Sequence, residues 1–457
     1  MSEVYDVVSA GARLHIIGIG GAGMSAIATV LLERGYQVSG SDQTESETTR
    51  ALRQQGAEVF IGHRAENVGE VAMVVASSAI REDNAELVAA RARSIPVNKR
   101  AQFLGWLMQG ALGVAVAGTH GKTTTTAMIT SILVGAGRDP SFIVGGHIAA
   151  LGRSAHAGHD REFVIEADEY DRMFLGLTPT IEVITNVEHD HPDCYPTFDE
   201  MLAAFREFIE RLPPDGMLVV CGEDVPAAAL AKATARKLLY GFKANMDWQA
   251  TDVRPNQAGG SDFIAHHAGK SLGLVRLRVP GKHNVLNALA ALAATDQLGI
   301  TFSAAQDALA DFRGVGRRFE VRGEINGVTV VDDYGHHPTE IKATLSGARN
   351  RYPGQQIWAV LQPHTYSRTQ TLLAEFATAF VEADHVIVTA IFASRERDTL
   401  GISNRDVVGR MEHPDARAID ALSDVTAYLK QHVQSGDVVI TFSAGDANKI
   451  STELLKK

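Results

Sequence analysis

The densest chemistry in this chain sits in one short stretch. An apolar run rich in Val and Ala, Gly113 to Ala117, breaks into Gly118-Thr119-His120-Gly121-Lys122-Thr123, and Thr124, Thr125 and Thr126 then open a helical stretch. Strand, glycine loop and helix in that order describe a phosphate loop. The glycines let backbone N–H groups close round phosphate oxygens, Lys122 can neutralise β- and γ-phosphates, and the Thr123 hydroxyl can ligate a magnesium ion carried by a nucleotide. The loop is shorter at its front than the common GxxxxGK[ST] pattern, which needs glycine where Val116 stands. It reads as a grip for ATP or GTP. Lys122, as a solvent-facing loop lysine, is expected to contribute little to the core.

Acids and imidazoles crowd two later stretches. Residues 162–171, EFVIEADEYD, place five acids in ten residues behind the apolar Phe163-Val164-Ile165. Residues 180–195, TIEVITNVEHDHPDCY, end in His189, Asp190, His191 and Asp193. Carboxylates gathered at a strand end suit a hard cation. Two such ends following a phosphate loop describe a nucleotide–magnesium site at the carboxyl edge of a parallel sheet. Structural zinc competes for the histidines, more weakly because no thiolate pair supports it.

A second glycine loop lies near the N-terminus. In RLHIIGIGGAGMSAIATVLLERGYQVSGSD, residues 13–42, Gly18, Gly20 and Gly23 satisfy GxGxxG directly after an apolar strand, a helical pattern follows, and Asp42 ends the next strand. Alone, the fingerprint says dinucleotide, or any diphosphate that needs bare backbone at a helix N-terminus. An NAD-linked oxidoreductase is therefore the rival class, and a non-catalytic nucleotide switch a third. Ser77 and Ser78, at the end of a strand over 71–80, are either sugar or diphosphate donors or ordinary turn serines.

The totals bound what surrounds these residues. With 457 residues the chain exceeds one ordinary core and predicts two to three domains. A formal net charge of −11 argues against wide nucleic-acid contact. Cys194 and Cys221 stand alone, without CxxC spacing, so no disulfide framework is expected. No apolar run approaches membrane-spanning length and no signal peptide is visible, which points to a reducing cytoplasm.

The elements that must position the chemistry are legible in outline. A helix near Gln102 to Gln109 leads into the phosphate loop. Thr197 to Leu212 reads as a helix capped by Thr197 and Glu200, with Met201, Leu202, Phe205, Phe208, Ile209 and Leu212 as its core stripe. Residues 215–280 suggest a small mixed sheet. Gly281 to Ala288 opens an Ala-rich helix with Asn284 and Asn287 on one face, Asn284 also suiting a cap. After Gly314-Val315-Gly316-Arg317-Arg318-Phe319-Glu320 the pattern resets into a third α/β unit with strands over 328–334, 356–364, 385–392 and 437–445. Asp332, Asp333, His336 and His337, then His364 and Arg368, lie at its strand ends. The expected fold is α/β in three domains, 1–108, 109–316 and 317–457.

Taken together, GIGGAGMSAIA at 18–28, GTHGKTTT at 118–125, EADEYD at 166–171, TNVEHDHPDCY at 185–195, GKHNVLNALAA at 281–291, GVGRRFE at 314–320 and DDYGHHPTEI at 332–341 resemble the Mur ligase family of peptidoglycan synthesis. The resemblance covers the chain in family order. It implies a Rossmann-like UDP-sugar domain, a central phosphate-loop ATPase domain with a parallel sheet, and a Rossmann-like third domain that receives the amino acid. The implied reaction joins L-alanine to UDP-N-acetylmuramate through an acyl phosphate, with ATP and magnesium, or manganese in its place, in the cytoplasm. The enzyme is expected to act as a monomer or weak homodimer, with neither nucleic acid nor membrane as partner.

Roles follow residue by residue from the same resemblance. Lys122, Glu166, His191 and one of Arg317 and Arg318 would be catalytic. Gly118, Thr119, His120, Gly121, Thr123 and Thr124 would hold ATP phosphates, with Asn284, Asn287 and Asp333 near the nucleotide. Thr123 and Glu166 would bind the ATP cation and His191 a second one. The UDP diphosphate would lie on Gly18, Gly20, Gly21, Ala22, Gly23, Met24 and Ser25. Asp42, His63 and the run Ser77, Ser78, Ala79 and Ile80 would complete the UDP site. His337, His364 and Arg368 would face the amino acid. The family pattern is left at Thr365, where arginine is usual, and over residues 393–398. No lysine occurs between Lys122 and Lys232, so a metal-bridging carbamylated lysine is not expected.

Overall fold

The computed structural model describes residues 8–394, 396–398 and 400–456. Arg395, in the departing stretch 393–398, lies outside the described residues.

The first sheet is wholly parallel. It comprises β1 (Arg13–Ile17), β2 (Gln37–Asp42), β3 (Glu58–Ile61), β4 (Met73–Ala76) and β5 (Val97–Lys99), in the order β3-β2-β1-β4-β5. β5 is too short to read from sequence pattern. Leu14, Ile16 and Ile17 are fully buried because crossover helices cover both faces of a parallel sheet. The helix Ala22–Glu33 starts directly at the glycine loop after β1.

The second sheet holds ten strands: β6 (Leu112–Ala117), β7 (Ser141–Ile148), β8 (Arg153–His156), β9 (Glu162–Glu166), β10 (Ile181–Ile184), β11 (Met217–Cys221), β12 (Lys237–Gly241), β13 (Trp248–Pro255), β14 (Ser261–His267) and β15 (Lys270–Arg276). Their order is β15-β14-β13-β12-β11-β10-β6-β9-β7-β8. The stretch 215–280 is therefore not a separate small sheet: β11 pairs parallel with β10 and carries the central sheet outward into an antiparallel β13-β14-β15 meander. The acid-rich strand stops at Glu166, so Asp168, Glu169 and Asp171 lie beyond its carboxyl end. The helix Phe198–Ile209 is capped by Thr197, whose hydroxyl accepts from the Glu200 N–H at 3.3 Å.

The third sheet has six strands, two more than the sequence pattern reveals: β16 (Glu320–Ile325), β17 (Val328–Asp333), β18 (Ile357–Gln362), β19 (His385–Val388), β20 (Ala416–Ala418) and β21 (Val438–Ser443), ordered β16-β17-β21-β18-β19-β20. Its apolar side chains fill separate clusters on its two faces. The first and second units meet where Glu33 accepts from His156 Nδ1 at 2.8 Å and from the Ala157 N–H at 2.7 Å. No helix among the described residues is long and apolar enough to cross a membrane.

One core residue has no satisfied chemistry. Glu182, in β10 opposite Ala115 and Leu218, is fully buried, and neither carboxyl oxygen has a hydrogen-bond partner among the described residues. Burial pushes its carboxyl well above the ordinary value, with Arg211 pulling the other way. An acid with a higher pKa folded than unfolded loses stability as pH rises from the unfolded value toward the folded one, and the deficit persists above it. Glu182→Leu is expected to raise the unfolding free energy by about 1–3 kcal/mol at neutral pH. The gain should shrink as pH falls toward 4.5; urea midpoints differing equally at every pH would contradict this.

Candidate active site

The phosphate loop is set by two glycines with no room for a side chain. Gly118 and Gly121 hold φ of 130° and 84°. A Cβ on Gly118 would collide with the Thr185 hydroxyl, and one on Gly121 would stand 2.7 Å from Asn287 Oδ1. Thr185 and Asn186, at the end of β10, clasp His120 through its backbone, at 2.5 Å and 3.0 Å to its carbonyl and 2.9 Å from its N–H. Thr119 is a brace: its hydroxyl donates to the Glu188 carbonyl and accepts from the Glu188 N–H, both at 2.9 Å.

Lys122 is not solvent-facing. Its side chain is 12% exposed, and Nζ lies 2.8 Å from Glu169 and donates to the Gly118 carbonyl at 2.6 Å. Burial would lower the ammonium, but Glu169, Asp168 and Glu166 carry it above its ordinary value. The Thr123 hydroxyl donates to Glu166 Oε1 at 3.0 Å, and the Gly145 N–H donates to the other oxygen at 2.8 Å. His120 has its Nε2 2.9 Å from Glu188 and its Nδ1 3.4 Å from Glu340. Against the pull of burial, these two carboxylates raise it to about 9. The loop thus presents two cations, Lys122 and the His120 imidazolium, at neutral pH.

The end of β10 faces the third unit. His191, with φ of 55°, lies 3.4 Å from Glu169 and 3.2 Å from Arg368 Nη2. Arg368 Nε donates to Asp190 at 2.8 Å, and Nη1 lies 3.0 Å from His364 Nδ1. Burial would raise Asp190, yet His191 and Arg368 hold its carboxyl well below the usual range. His189 is turned away, its Nε2 donating to the Tyr195 carbonyl at 2.8 Å. The histidine-rich turn therefore forms no zinc cluster among the described residues. The His120, Glu188 and His337 side chains are the group that could approach one ion together.

A cavity of about 360 Å³ opens between the loop, the helix Lys282–Asp296 and the start of the third unit. His120, Thr124, Asn284, Asn287, Arg318 and Asp333 line it. Asn284 is no cap: Gly281 occupies that position, and the Asn284 amide donates back to the Pro280 carbonyl at 2.7 Å. Asp333 is braced by the N–H groups of Phe319 at 2.9 Å and Gly335 at 2.6 Å. The paired arginines part company. Arg318 lies in the cavity wall 3.3 Å from Glu340, whereas Arg317 is turned into the third sheet, where it donates to the Ser443 carbonyl at 2.5 Å. Both guanidinium groups flank Tyr334, each 5.1 Å from the ring centroid.

At the first glycine loop, Gly18 holds φ of 80° with Ser77 and Ile80 beside it. Asp42 Oδ2 accepts from the Gly20 N–H at 2.9 Å. Ser77 accepts from the Ala79 N–H at 3.3 Å, as a turn serine does, and Ser78 follows it on the same turn. Met24 is 2% exposed, so only its backbone can serve the loop; Ser25 donates back to Ala22 at 3.0 Å. His63 Nδ1 lies 2.9 Å from the Ser41 hydroxyl, which donates to the buried Glu86.

Three family models cover most of the chain: the Mur ligase family catalytic domain over residues 13–111, the Mur ligase middle domain over 116–295, and the Mur ligase glutamate ligase domain over 317–445. The chain belongs to the Mur ligase family. A UDP-N-acetylmuramate–L-alanine ligase of Geobacter sp. (strain M21) is 45% identical to this Mur ligase over 97% of each chain. A solved UDP-N-acetylmuramate–alanine ligase from Thermotoga maritima matches with a TM-score of 0.82 at 29% identity, covering 97% of this chain and 98% of its own. A murein peptide ligase from Psychrobacter arcticus matches with a TM-score of 0.72 at 25% identity, covering 97% and 98%.

Within this Mur ligase the residues expected to face the amino acid do not all stand together. His337 caps the helix Pro338–Arg351, is 1% exposed, and packs 4.7 Å from the His120 ring, so it faces the phosphate loop. His336 is the one that turns to His364, at 5.7 Å between ring centroids. Capping fixes this choice, because the His337 ring must accept from the Thr339 N–H. Sequence reasoning also passed over Glu169, Glu188 and Glu340. Each stood inside a quoted motif, but its partner lies in a distant stretch. Arg318→Ala is expected to raise the KM for ATP about 10- to 100-fold, the loss of a charge-assisted contact, with little change in melting temperature. Arg317→Ala should instead cost roughly 1–2 kcal/mol of stability through its lost carbonyl bond; equal effects of the two on KM would contradict the assignment.

Proposed function

We propose that this Mur ligase joins L-alanine to the lactyl carboxylate of UDP-N-acetylmuramate, cleaving ATP to ADP and phosphate, in peptidoglycan precursor synthesis. The observation that carries this reading is the 45% identity over 97% of both chains to a UDP-N-acetylmuramate–L-alanine ligase, an extent that includes both glycine loops and the third unit. The domains are 1–108 for the UDP-sugar, 109–316 for ATP and 317–457 for the amino acid, supported by the division of strands among three sheets.

In the first step a carboxylate oxygen attacks the γ-phosphorus and ADP leaves, giving an acyl phosphate. The alanine nitrogen then attacks the acyl carbon, and the tetrahedral intermediate expels phosphate as the nitrogen loses a proton. The first step brings anions together, so fixed positive charge is the main source of rate. Lys122, the His120 imidazolium and Arg318 supply it from the loop and the cavity wall. The Thr123 hydroxyl and Glu166 carboxylate, 3.0 Å apart, are hard oxygen donors that fit magnesium. Bound there, magnesium or manganese would neutralise charge on the β- and γ-phosphates. His191 is the candidate for a second cation beside the substrate carboxylate. Arg368 and His364, with His336 beside them, are the groups disposed toward the alanine carboxylate. Gly18, Gly20 to Ser25, Asp42, His63 and Ser77 to Ile80 receive the UDP moiety, Met24 through its backbone.

The enzyme works in the cytoplasm as a monomer or weak homodimer. A net charge of −11 supports the absence of a nucleic-acid partner.

The test is phosphate release from ATP with magnesium, UDP-N-acetylmuramate and single amino acids. Release that needs both the UDP-sugar and L-alanine is the expected outcome. Turnover with L-alanyl-γ-D-glutamyl-diaminopimelate in place of alanine would instead make it a peptide-recycling ligase, and release indifferent to the sugar would overturn the reading. Glu166→Ala should raise the magnesium requirement at least about tenfold. Lys122→Ala should abolish turnover and also destabilise the fold by stranding Glu169. Adding Glu169→Gln to it should restore the melting temperature without restoring turnover; recovery of both would remove Lys122 from the chemistry.

A further inference from the structure

The third glycine of the first loop makes room for a cation. Gly23 lies in the first turn of the helix Ala22–Glu33 with ordinary helical backbone, so its lack of a side chain is not a demand of φ. What it admits is Arg100. Both terminal nitrogens of the Arg100 guanidinium lie within 2.6 and 2.7 Å of where a Cβ on Gly23 would stand. In dinucleotide folds this glycine usually serves close helix–strand packing; here a guanidinium from the junction of β5 and the helix Arg100–Leu107 fills the space.

That placement is electrostatically unbalanced. A helix start carries orphan N–H donors and partial positive charge, which favour an acid or an anion. This helix has Gly21 at its cap without a side-chain bond and no acid in its first turn. Asp42 answers only the Gly20 N–H. The Arg100 Nε is buried and donates to nothing among the described residues, and no carboxylate among them pairs with the guanidinium. A fork of charged donors, a helix N-terminus and a glycine loop with bare backbone therefore converge, and the Asp42 carboxylate at the loop is engaged by the Gly20 N–H and not by the guanidinium.

We infer that Arg100 is a diphosphate-binding residue of the UDP-sugar site, reaching the glycine loop from the junction of β5 and the helix Arg100–Leu107. The inference rests on the first domain receiving UDP-N-acetylmuramate and adds the group that distinguishes its diphosphate from its uridine. The chemistry suits the residue: an arginine fork bonds two phosphate oxygens at once, which lysine, a point charge, does not.

The helix that carries Arg100 gives the contact a route into the ATP domain. Gly105 on this helix has no room for a side chain against the Gly176 carbonyl, nor Gly176 against the Ala101 carbonyl. The segment Tyr170–Gly176 begins directly after Glu169, the partner of Lys122.

The experiment is calorimetric titration of the full-length enzyme with UDP-N-acetylmuramate, UDP and uridine, for the wild type, Arg100→Ala and Arg100→Lys, alongside steady-state kinetics. Arg100→Ala is expected to weaken UDP-N-acetylmuramate and UDP about 10- to 100-fold and uridine less than about twofold, as befits loss of a charge-assisted fork. The KM for the UDP-sugar should rise by the same factor while kcat at saturating sugar stays within about threefold, and Arg100→Lys should recover part of the loss. Equal weakening of uridine and UDP, or unchanged affinity for both, overturns the inference, the first by giving Arg100 a purely structural role. A wild type that binds neither UDP-N-acetylmuramate nor UDP would overturn the reading of the first domain instead. Matching melting temperatures for the three proteins keep a folding defect from passing as lost affinity, and Arg100→Lys stands as the folded comparison should Arg100→Ala melt early.

Discussion

Lys122 and Glu169 face each other at 2.8 Å across the carboxyl ends of β6 and β9, and much of the molecule depends on that pairing. Glu166, Asp168, Glu169, Glu188 and Asp190 all gather near this edge, and carboxylates brought so close repel unless cations stand among them. Lys122 comes from the loop, His120 beside it is kept protonated by Glu188 and Glu340, and Arg368 reaches Asp190 from the third unit. Removing one sign would leave the other buried without compensation, which costs far more than the pair itself contributes. The strand edge is thus a charge lattice completed only when the second and third units meet.

The same lattice explains why the third unit sits where it does. Thr339 donates to Glu188 at 2.8 Å, and Ile148 of β7 bridges Val315, just ahead of the two arginines. His191, Arg317, Phe319 and Thr365 all hold positive φ. Left-handed backbone at non-glycine residues persists where surrounding contacts over-determine it, and these four stand round the meeting of the two units. The first unit is tied on differently, through Glu33 to the β7–β8 hairpin region and through the helix Arg100–Leu107 packed on residues 170–176. The two glycine loops are therefore connected by one short helix and one buried ion pair.

Much of this was legible in the residues themselves. GTHGKT after an apolar strand, GxGxxG after another and the acid-rich ends of two more dictated loop conformations, because a glycine φ or a helix start depends on a few neighbouring residues. The order of motifs carried the family and the three α/β units. What did not show were the short strands β5 and β20, too brief for a period-2 pattern, the edge strand β16, whose alternation breaks at a bulge before Gly323, and the fate of residues 215–280, whose alternating segments look alike whether they form a separate sheet or extend a large one.

The sequence alone settled which chemical groups are present and on which loops they sit. Tertiary structure decided their partners: Arg318 and not Arg317 in the cavity wall, His336 and not His337 beside His364, Lys122 buried against Glu169, and Arg100 on the bare face of Gly23. The reason is distance along the chain. Backbone conformation is set within one turn or one strand, but Asp190 and Arg368 lie 178 residues apart, and only the meeting of the loops beyond β10 and β18 brings opposite charges that far separated to 2.8 Å.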